Sequence, residues 1–140
     1  MNIKFIPPGN KTKKSASLKI AAVSMQCFRT PTENLNKMLS VIKEVKEQQP
    51  QVELILFGET ILTWYDPQNH PLDHYSSAEP IPGPTTDRMA QLAKSMKIFL
   101  CFGMVEQEDE YIYNTQVLIN PRSEERRVGK ACRCRWSADH

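Results

Sequence analysis

Residues 53–60 constrain the fold most, because they hold a short apolar run, Leu54–Phe57, that ends at a glycine and an acid. An apolar run of this length without polar alternation is typical of a strand buried on both faces, as in a parallel sheet. Glu59 therefore falls just past the carboxyl end of a strand, where open α/β sheets bind their ligands. Partial burial there would suit the carboxylate to general-base chemistry, whereas the alternative is a solvated loop glutamate.

The length and hydropathy of the chain limit its class. The chain has 140 residues, which favours one compact domain. We find no apolar stretch long enough to span a membrane. The first residues have lysines but no apolar segment of the secretory type behind them. We therefore expect a cytoplasmic protein that does not contact a membrane.

The net charge of +2 is an average over unlike parts of the chain. Residues 18–121 contain eight basic and thirteen acidic residues, a net charge of −5, whereas residues 1–17 and 122–140 are basic. An acidic central unit is a poor candidate for binding nucleic acid, so we expect no such partner. We interpret residues 1–17 as a disordered basic leader.

Hydrophobic periodicity predicts an α/β arrangement of four strands and two helices. Strands are predicted over residues 18–25, 54–57, 98–103 and 111–119, and residues 106–110 as a solvated acidic hairpin turn. Helices are predicted after Thr30, with Glu33 completing a capping box, and from about residue 85. The sheet should be parallel at first and then mixed. The long segment 63–84, which has five prolines, is expected to shape a binding site.

The cysteines and histidines do not have the spacing of a metal site, so we predict neither a metal nor another cofactor. Cys101 lies in an apolar run and is most simply a core thiol. A proline separates the two histidines that are four residues apart, which spoils a helical ligand pair. The candidate metal ligands of these two types are Cys27, Cys101, Cys132, Cys134, His70 and His74.

Four segments, taken in order, resemble the N-terminal part of the nitrilase-like carbon–nitrogen hydrolases. They are residues 19–26, 54–59 with Trp64 and Tyr65 downstream, 82–86 with Leu92 and Ala93, and 113–121. The resemblance covers residues 18–121. It implies the N-terminal half of an α-β-β-α sandwich, with a truncated second half. One departure is Gly58, where many members of the family have proline.

The resemblance also implies a reaction. The family uses a cysteine nucleophile, a glutamate base and a lysine that stabilises the charge developing on a nitrile or amide substrate. Glu59 matches the position of the general base. The family requires no metal or organic cofactor, and its members commonly form homo-oligomers.

The C-terminal segment departs from the family. Lys130 lies near the distance expected for the family lysine but lacks its aromatic neighbours, and Cys132 follows it too closely to be the nucleophile. Residues 122–130 back-translate to a string that resembles a common sequencing adapter. We therefore expect residues 122–140 to be a non-native or disordered tail and the chain to be an inactive fragment of a hydrolase.

One other function stays open on the residues alone, a non-catalytic α/β binding or scaffold protein of the same fold, which would need no nucleophile. A flavodoxin-like nucleotide binder is disfavoured, because it would need a phosphate-binding loop with glycine after the first strand and residues 27–30 contain no glycine.

Overall fold

The computed structural model describes residues 17–63 and 75–135, and for residues 129–135 it describes the backbone alone. Within that part of the chain, five strands form one sheet and two helices cover it. The elements in chain order are β1 (Ile20–Val23), α1 (Pro31–Gln48), β2 (Leu54–Phe57), α2 (Pro84–Met96), β3 (Phe99–Glu108), β4 (Tyr111–Ile119) and β5 (Glu125–Arg135).

The strands lie in the sheet in their sequence order. β1, β2 and β3 are parallel, because a helical connection returns the chain to the same edge between them. β4 and β5 follow as antiparallel neighbours through short connections. The expected α/β fold, parallel at first and then mixed, is confirmed.

Helix α1 begins as its sequence predicts. The Thr30 hydroxyl oxygen accepts the backbone N–H of Glu33 at 3.3 Å, and Pro31 occupies the first turn. The second bond of the predicted capping box differs, because the Thr30 hydroxyl donates to the Glu33 carboxylate at 2.6 Å. Glu33 remains in the first turn, where the helix dipole favours an acid.

Helix α2 receives its cap from outside its own sequence. The carboxylate of Glu79 accepts the backbone N–H of Thr85 at 3.0 Å and the Thr85 hydroxyl at 2.7 Å. A carboxylate at this position satisfies a free amide of the first turn and complements the helix dipole. At the other end, Lys97 closes the helix in a left-handed conformation with φ 53°.

The hydrophobic core lies between the two helices and one face of the sheet, which we call the helix face. Both helices contribute buried side chains to it, and among these Met38 and Met89 are fully buried. The sheet side of this core consists of Ala21, Ile55, Phe57, Leu100, Phe102, Met104, Val117 and Ile119. The helical spacing of apolar residues predicts a buried stripe on α1, and all of its members except Leu39 are buried here, together with Asn34 and Val41, which the pattern does not single out. The stripe consists of Leu35, Met38, Leu39, Ile42 and Val45.

The opposite face of the sheet, the outer face, lacks a covering layer among the described residues at its β1–β2 edge. Ile20 and Leu56 lie on it and expose 40% and 37% of their surface. The outer face also presents Cys101, Gly103, Asn114 and Gln116, as the strand registers require. No helix in the described part of the chain is long and apolar enough to cross a membrane.

Two parts of the sheet differ from the sequence-based prediction. The predicted acidic turn at 106–110 is wrong for residues 106–108, which belong to β3, so that the turn is Asp109–Glu110 alone. Glu106 is fully buried on the helix face, because Thr115 and Arg127 provide polar partners that no local pattern could indicate. The second difference is β5, a strand in the segment expected to be foreign or disordered.

Candidate active site

Glu59 lies two residues beyond β2, at the edge where the parallel strands β1 and β2 end together and beside β3, which continues to Glu108. β1 and β2 reach the same edge because they run in the same direction and Val23 pairs with Phe57. The side chain of Glu59 is exposed rather than packed into the core. The carboxylate therefore lies just past the strand, as predicted, but the expected burial is wrong: β2 is buried on the helix face only, with Leu56 37% exposed on the outer face.

Gly103 of β3 allows the chain after β2 to fold flat over the outer face. A Cβ at Gly103 would lie 2.4 Å from the backbone nitrogen of Thr60 and 2.8 Å from Cα of Glu59. The backbone N–H of Gly103 donates to the Gly58 carbonyl at 3.2 Å, and its carbonyl accepts the N–H of Leu62 at 3.3 Å. Only glycine permits this approach of two backbones, which fixes the height of Glu59 above the sheet.

Thr60 occupies the left-handed region with φ 49°. This conformation is unfavourable for a β-branched residue, and such residues concentrate at functional sites. The turn that carries Glu59 is therefore held by its surroundings, chiefly by the bonds to Gly103, and not by the preference of its own sequence.

Asn114 of β4 contacts Glu59 directly. Its side-chain amide Nδ2 donates a hydrogen bond to Oε1 of Glu59, across 55 residues of sequence. Asn114 pairs with Val105 of β3, so its side chain lies on the same outer face as Gly103. The contact was not predicted from the sequence, because residues 113–115 carry a signal there only as part of the family resemblance.

Asn34 joins the loops that follow β1 and β2. It is fully buried, its oxygen accepts the N–H of Phe28 at 2.6 Å, and its Nδ2 donates to the carbonyls of Phe28 and Leu62, both at 2.9 Å. A buried side-chain amide with three partners specifies a single arrangement of the segments that it joins. The loop after β2 carries Glu59, so Asn34 fixes that loop against the loop after β1.

Cys27 and Cys101 are both thiols in the part of the chain whose side chains are described. The Cys27 thiol points to the carbonyl of Ile61 at 3.7 Å, and desolvation by burial raises the pKa of Cys27. Because the thiolate is the nucleophilic form, both observations disfavour Cys27 as a nucleophile. Cys101 is a buried thiol on β3, as predicted, and accepts a bond from Nε2 of Gln116 at 3.3 Å.

A buried acid lies on the other face of the same strands. Oε2 of Glu106 accepts the Thr115 hydroxyl at 2.7 Å, and Oε1 lies 2.7 Å from Nη2 of Arg127. That second contact is an ion pair without hydrogen-bond alignment, and Nη2 also donates to the carbonyl of Ile81 at 2.9 Å. This cluster anchors β5 to β3 on the helix face, away from the face that carries Asn114.

Several predicted residues lie outside the described part of the chain. Trp64, Tyr65, His70 and His74 fall in the segment 64–74, and the side chains of Lys130, Cys132 and Cys134 are not described. Within the described residues, no group of three or more His, Cys, Asp or Glu side chains could hold a metal ion. The prediction that no cofactor is needed stays a prediction.

The family model for carbon–nitrogen hydrolases matches residues 19–137. The chain belongs to the carbon–nitrogen hydrolase family.

Individual relatives are amidases. Omega-amidase NIT2 of Xenopus tropicalis is 30% identical over 109 residues, which are 76% of this chain and 37% of that protein. Formamidase of Bacillus cereus (strain B4264) is 30% identical over 95 residues, which are 64% of this chain and 27% of that protein. A solved N-terminal amidase superposes with a TM-score of 0.65 at 20% identity, over 87% of this chain and 29% of that one, which supports the fold.

The chain thus spans about a third of the length of the curated relatives that it matches.

Proposed function

We propose that this chain is the part of an amide-hydrolysing enzyme that supplies the general base, Glu59. The observation that carries the proposal is the placement of Glu59. Its carboxylate stands exposed at the carboxyl edge of the parallel strands and is held by Asn114. A base must be both accessible to the substrate and fixed in orientation, and this side chain meets both requirements.

The proposed reaction follows the chemistry that the family resemblance implies. Glu59 takes the proton of a cysteine thiol, and the thiolate adds to the amide carbon. The C–N bond breaks and ammonia or an amine leaves with a proton, so a thioester remains. Water then attacks the thioester, and the acid product and the thiol are regenerated. A lysine stabilises the oxyanion of each tetrahedral intermediate.

The nucleophile and the lysine of this reaction are proposed to belong to a longer gene product. Neither Cys27 nor Cys101 suits the role of nucleophile, because Cys101 is buried on a strand and the pKa of Cys27 is raised. The chain also matches only 37% and 27% of two amidase relatives. We propose that the chain by itself is inactive.

The proposed division of the chain is a basic leader at 1–17, the N-terminal part of the hydrolase domain at 18–121 and a tail of foreign origin at 122–140. Backbone pairing between β4 and β5 and a family-model match that continues to residue 137 both count against a foreign origin, so this part of the proposal rests on the resemblance to the adapter alone. Sequencing the genomic locus tests the division. A genomic copy of codons 122–140 would overturn the foreign origin of the tail.

The outer face of the sheet supports the proposal of a missing layer. Ile20 and Leu56 expose apolar surface on the same face of adjacent strands, two residues apart in register, as expected where a second sheet would pack. We propose that the missing half of the α-β-β-α sandwich covers this face and that the chain alone aggregates. A sharp, cooperative melting transition from a soluble monomer of this chain would contradict the proposal.

The proposed substrate is a small amide rather than a nitrile, since the relatives named above are amidases. The complete gene product is proposed to act in the cytoplasm as a homo-oligomer without a cofactor. Neither nucleic acid nor a membrane is a proposed partner.

Ammonia release from a panel of amides tests the function. Each amide is assayed with the complete gene product. The panel contains formamide, succinamate as an ω-amide of a dicarboxylic acid, and the peptide Gln-Gly, whose N-terminal glutamine has a side-chain amide. Turnover of at least one amide is expected. A non-catalytic scaffold of the same fold is the alternative function, and it predicts no ammonia from any of them.

A further inference from the structure

The hydrogen bond between Asn114 and Glu59 crosses a neighbouring strand. β2, which leads to Glu59, pairs with β3, and β4 lies on the far side of β3. The Glu59–Thr60 turn lies directly on Gly103 of β3, so the carboxylate extends across that strand to β4. A side chain at Gly103 would fill the space through which this contact is made.

The two oxygens of the carboxylate are not equivalent. Among the described residues, Oε1 of Glu59 has one hydrogen-bond donor, the amide of Asn114, and Oε2 has none. An N–H group can only donate, so an oxygen that accepts it is a poor site for a proton. The amide therefore leaves Oε2 as the oxygen that can receive a proton.

We propose that Asn114 is a positioning residue for the general base, and this proposal rests on the proposed function of Glu59. The Asn114 amide holds Oε1, so that the proton of the attacking thiol is transferred to Oε2. When Oε2 is protonated, Oε1 becomes the carbonyl oxygen and still accepts the same N–H. The bond therefore persists through the proton transfer, and the carboxylate does not need to rotate.

The position of Asn114 in the sheet indicates that its hydrogen bond to Glu59 is specific. Asn114 is fixed by its pairing with Val105 in the β3–β4 ladder. Gln116 lies two residues further along the same face, and its amide donates to Cys101 Sγ at 3.3 Å instead of to Glu59. The two amides therefore share a strand and a face but differ in partner, which makes Gln116 a matched control.

The test compares Asn114→Leu, Asn114→Asp and Gln116→Leu in the complete gene product, with the amide of the panel that is hydrolysed fastest. Asn114→Leu removes the donor, and Asn114→Asp keeps the shape of the side chain without an N–H. Both should lower kcat by about 100-fold with little change in KM, because the base is displaced and substrate binding is not. Gln116→Leu should keep kcat within about threefold, because the Gln116 amide donates to Cys101 and does not contact Glu59.

A double-mutant cycle separates positioning from general destabilisation. In the Glu59→Gln background, Asn114→Leu should cause no further loss of kcat, because the carboxylate that it orients is already gone. Independent, multiplicative losses would overturn the proposal. A kcat for Asn114→Asp equal to that of the unaltered protein would overturn it as well.

An NMR measurement tests the contact without any catalysis. The side-chain NH₂ resonances of Asn114 should shift on Glu59→Gln, while those of Gln116 stay in place. Unmoved Asn114 resonances would refute the contact. If Glu59→Gln leaves turnover intact, the proposed function fails. If Glu59→Gln abolishes turnover and Asn114→Leu does not reduce it, only the positioning role fails.

Discussion

Gly103→Ala is the substitution whose consequence follows most directly from the structure. The new methyl group would lie 2.4 Å from the Thr60 nitrogen, 2.8 Å from Cα of Glu59 and 2.9 Å from the carbonyl carbon of Glu59. All three atoms belong to the backbone, so no side-chain rotation relieves the overlap. The turn must retreat by about 1 Å to reach the 3.4 Å at which ordinary contact begins.

This displacement should affect stability and catalysis together. Overpacking of this kind costs about 1–3 kcal/mol of unfolding free energy. A base moved by about 1 Å costs about 100-fold in kcat. Urea unfolding and ammonia release from the complete gene product measure the two effects.

Gly58→Ala is the matched control for Gly103→Ala. It adds the same methyl group to the same turn, but no atom lies within 4 Å of its Cβ and the backbone φ is not positive. Its unfolding free energy should stay within about 0.5 kcal/mol of the original. Equal effects of the two alanines, or full activity of Gly103→Ala, would refute the close approach as the feature that places Glu59.

Two further predictions concern Lys97 and Cys27. Lys97→Gly should stabilise the protein by about 1 kcal/mol, because its φ of 53° suits glycine, and an unchanged melting temperature would contradict this. The raised pKa of Cys27 means that its thiolate forms at higher pH in the folded protein than in the unfolded chain. At any pH below the folded pKa, iodoacetamide should therefore alkylate Cys27 more slowly in the folded protein than in the urea-unfolded protein. Cys27→Ser is the control that identifies the alkylated thiol.

The same raised pKa has a consequence for stability. The folded state keeps the proton of Cys27 to higher pH than the unfolded state does. The unfolded state therefore releases its proton first as pH rises. The free energy of unfolding therefore falls as pH rises from the unfolded to the folded pKa of Cys27, and this thiol has no such effect at neutral pH.

The elements built from local patterns were predictable from the sequence. The N-cap at Thr30, the apolar stripe of α1 and the alternation of apolar runs follow from short-range chemistry, and the structure has helices and strands at these places. The position of Glu59 beyond β2 was predictable for the same reason, because it depends on the strand and glycine that precede it.

The contacts that hold the site were not predictable, because they join residues far apart in sequence. Asn114 reaches Glu59 across 55 residues, and Asn34 joins Leu62 across 28. Glu106 looked like part of a solvated acidic turn, since its neighbours are acids and its partners Thr115 and Arg127 lie on other strands. An inspection of glycines in strand interiors would have drawn attention to Gly103, because glycine there often marks close backbone approach.

The most direct test of the account replaces Glu59 by glutamine in the complete gene product and measures ammonia release. Glu53→Gln is the control, because Glu53 precedes the same strand at its opposite end, where its carboxylate accepts the N–H of Lys19 at 3.0 Å. Glu59→Gln should lower kcat by about 100-fold or more, while Glu53→Gln should leave it within about threefold. Equal turnover of the two variants would contradict the assignment of Glu59 as the base.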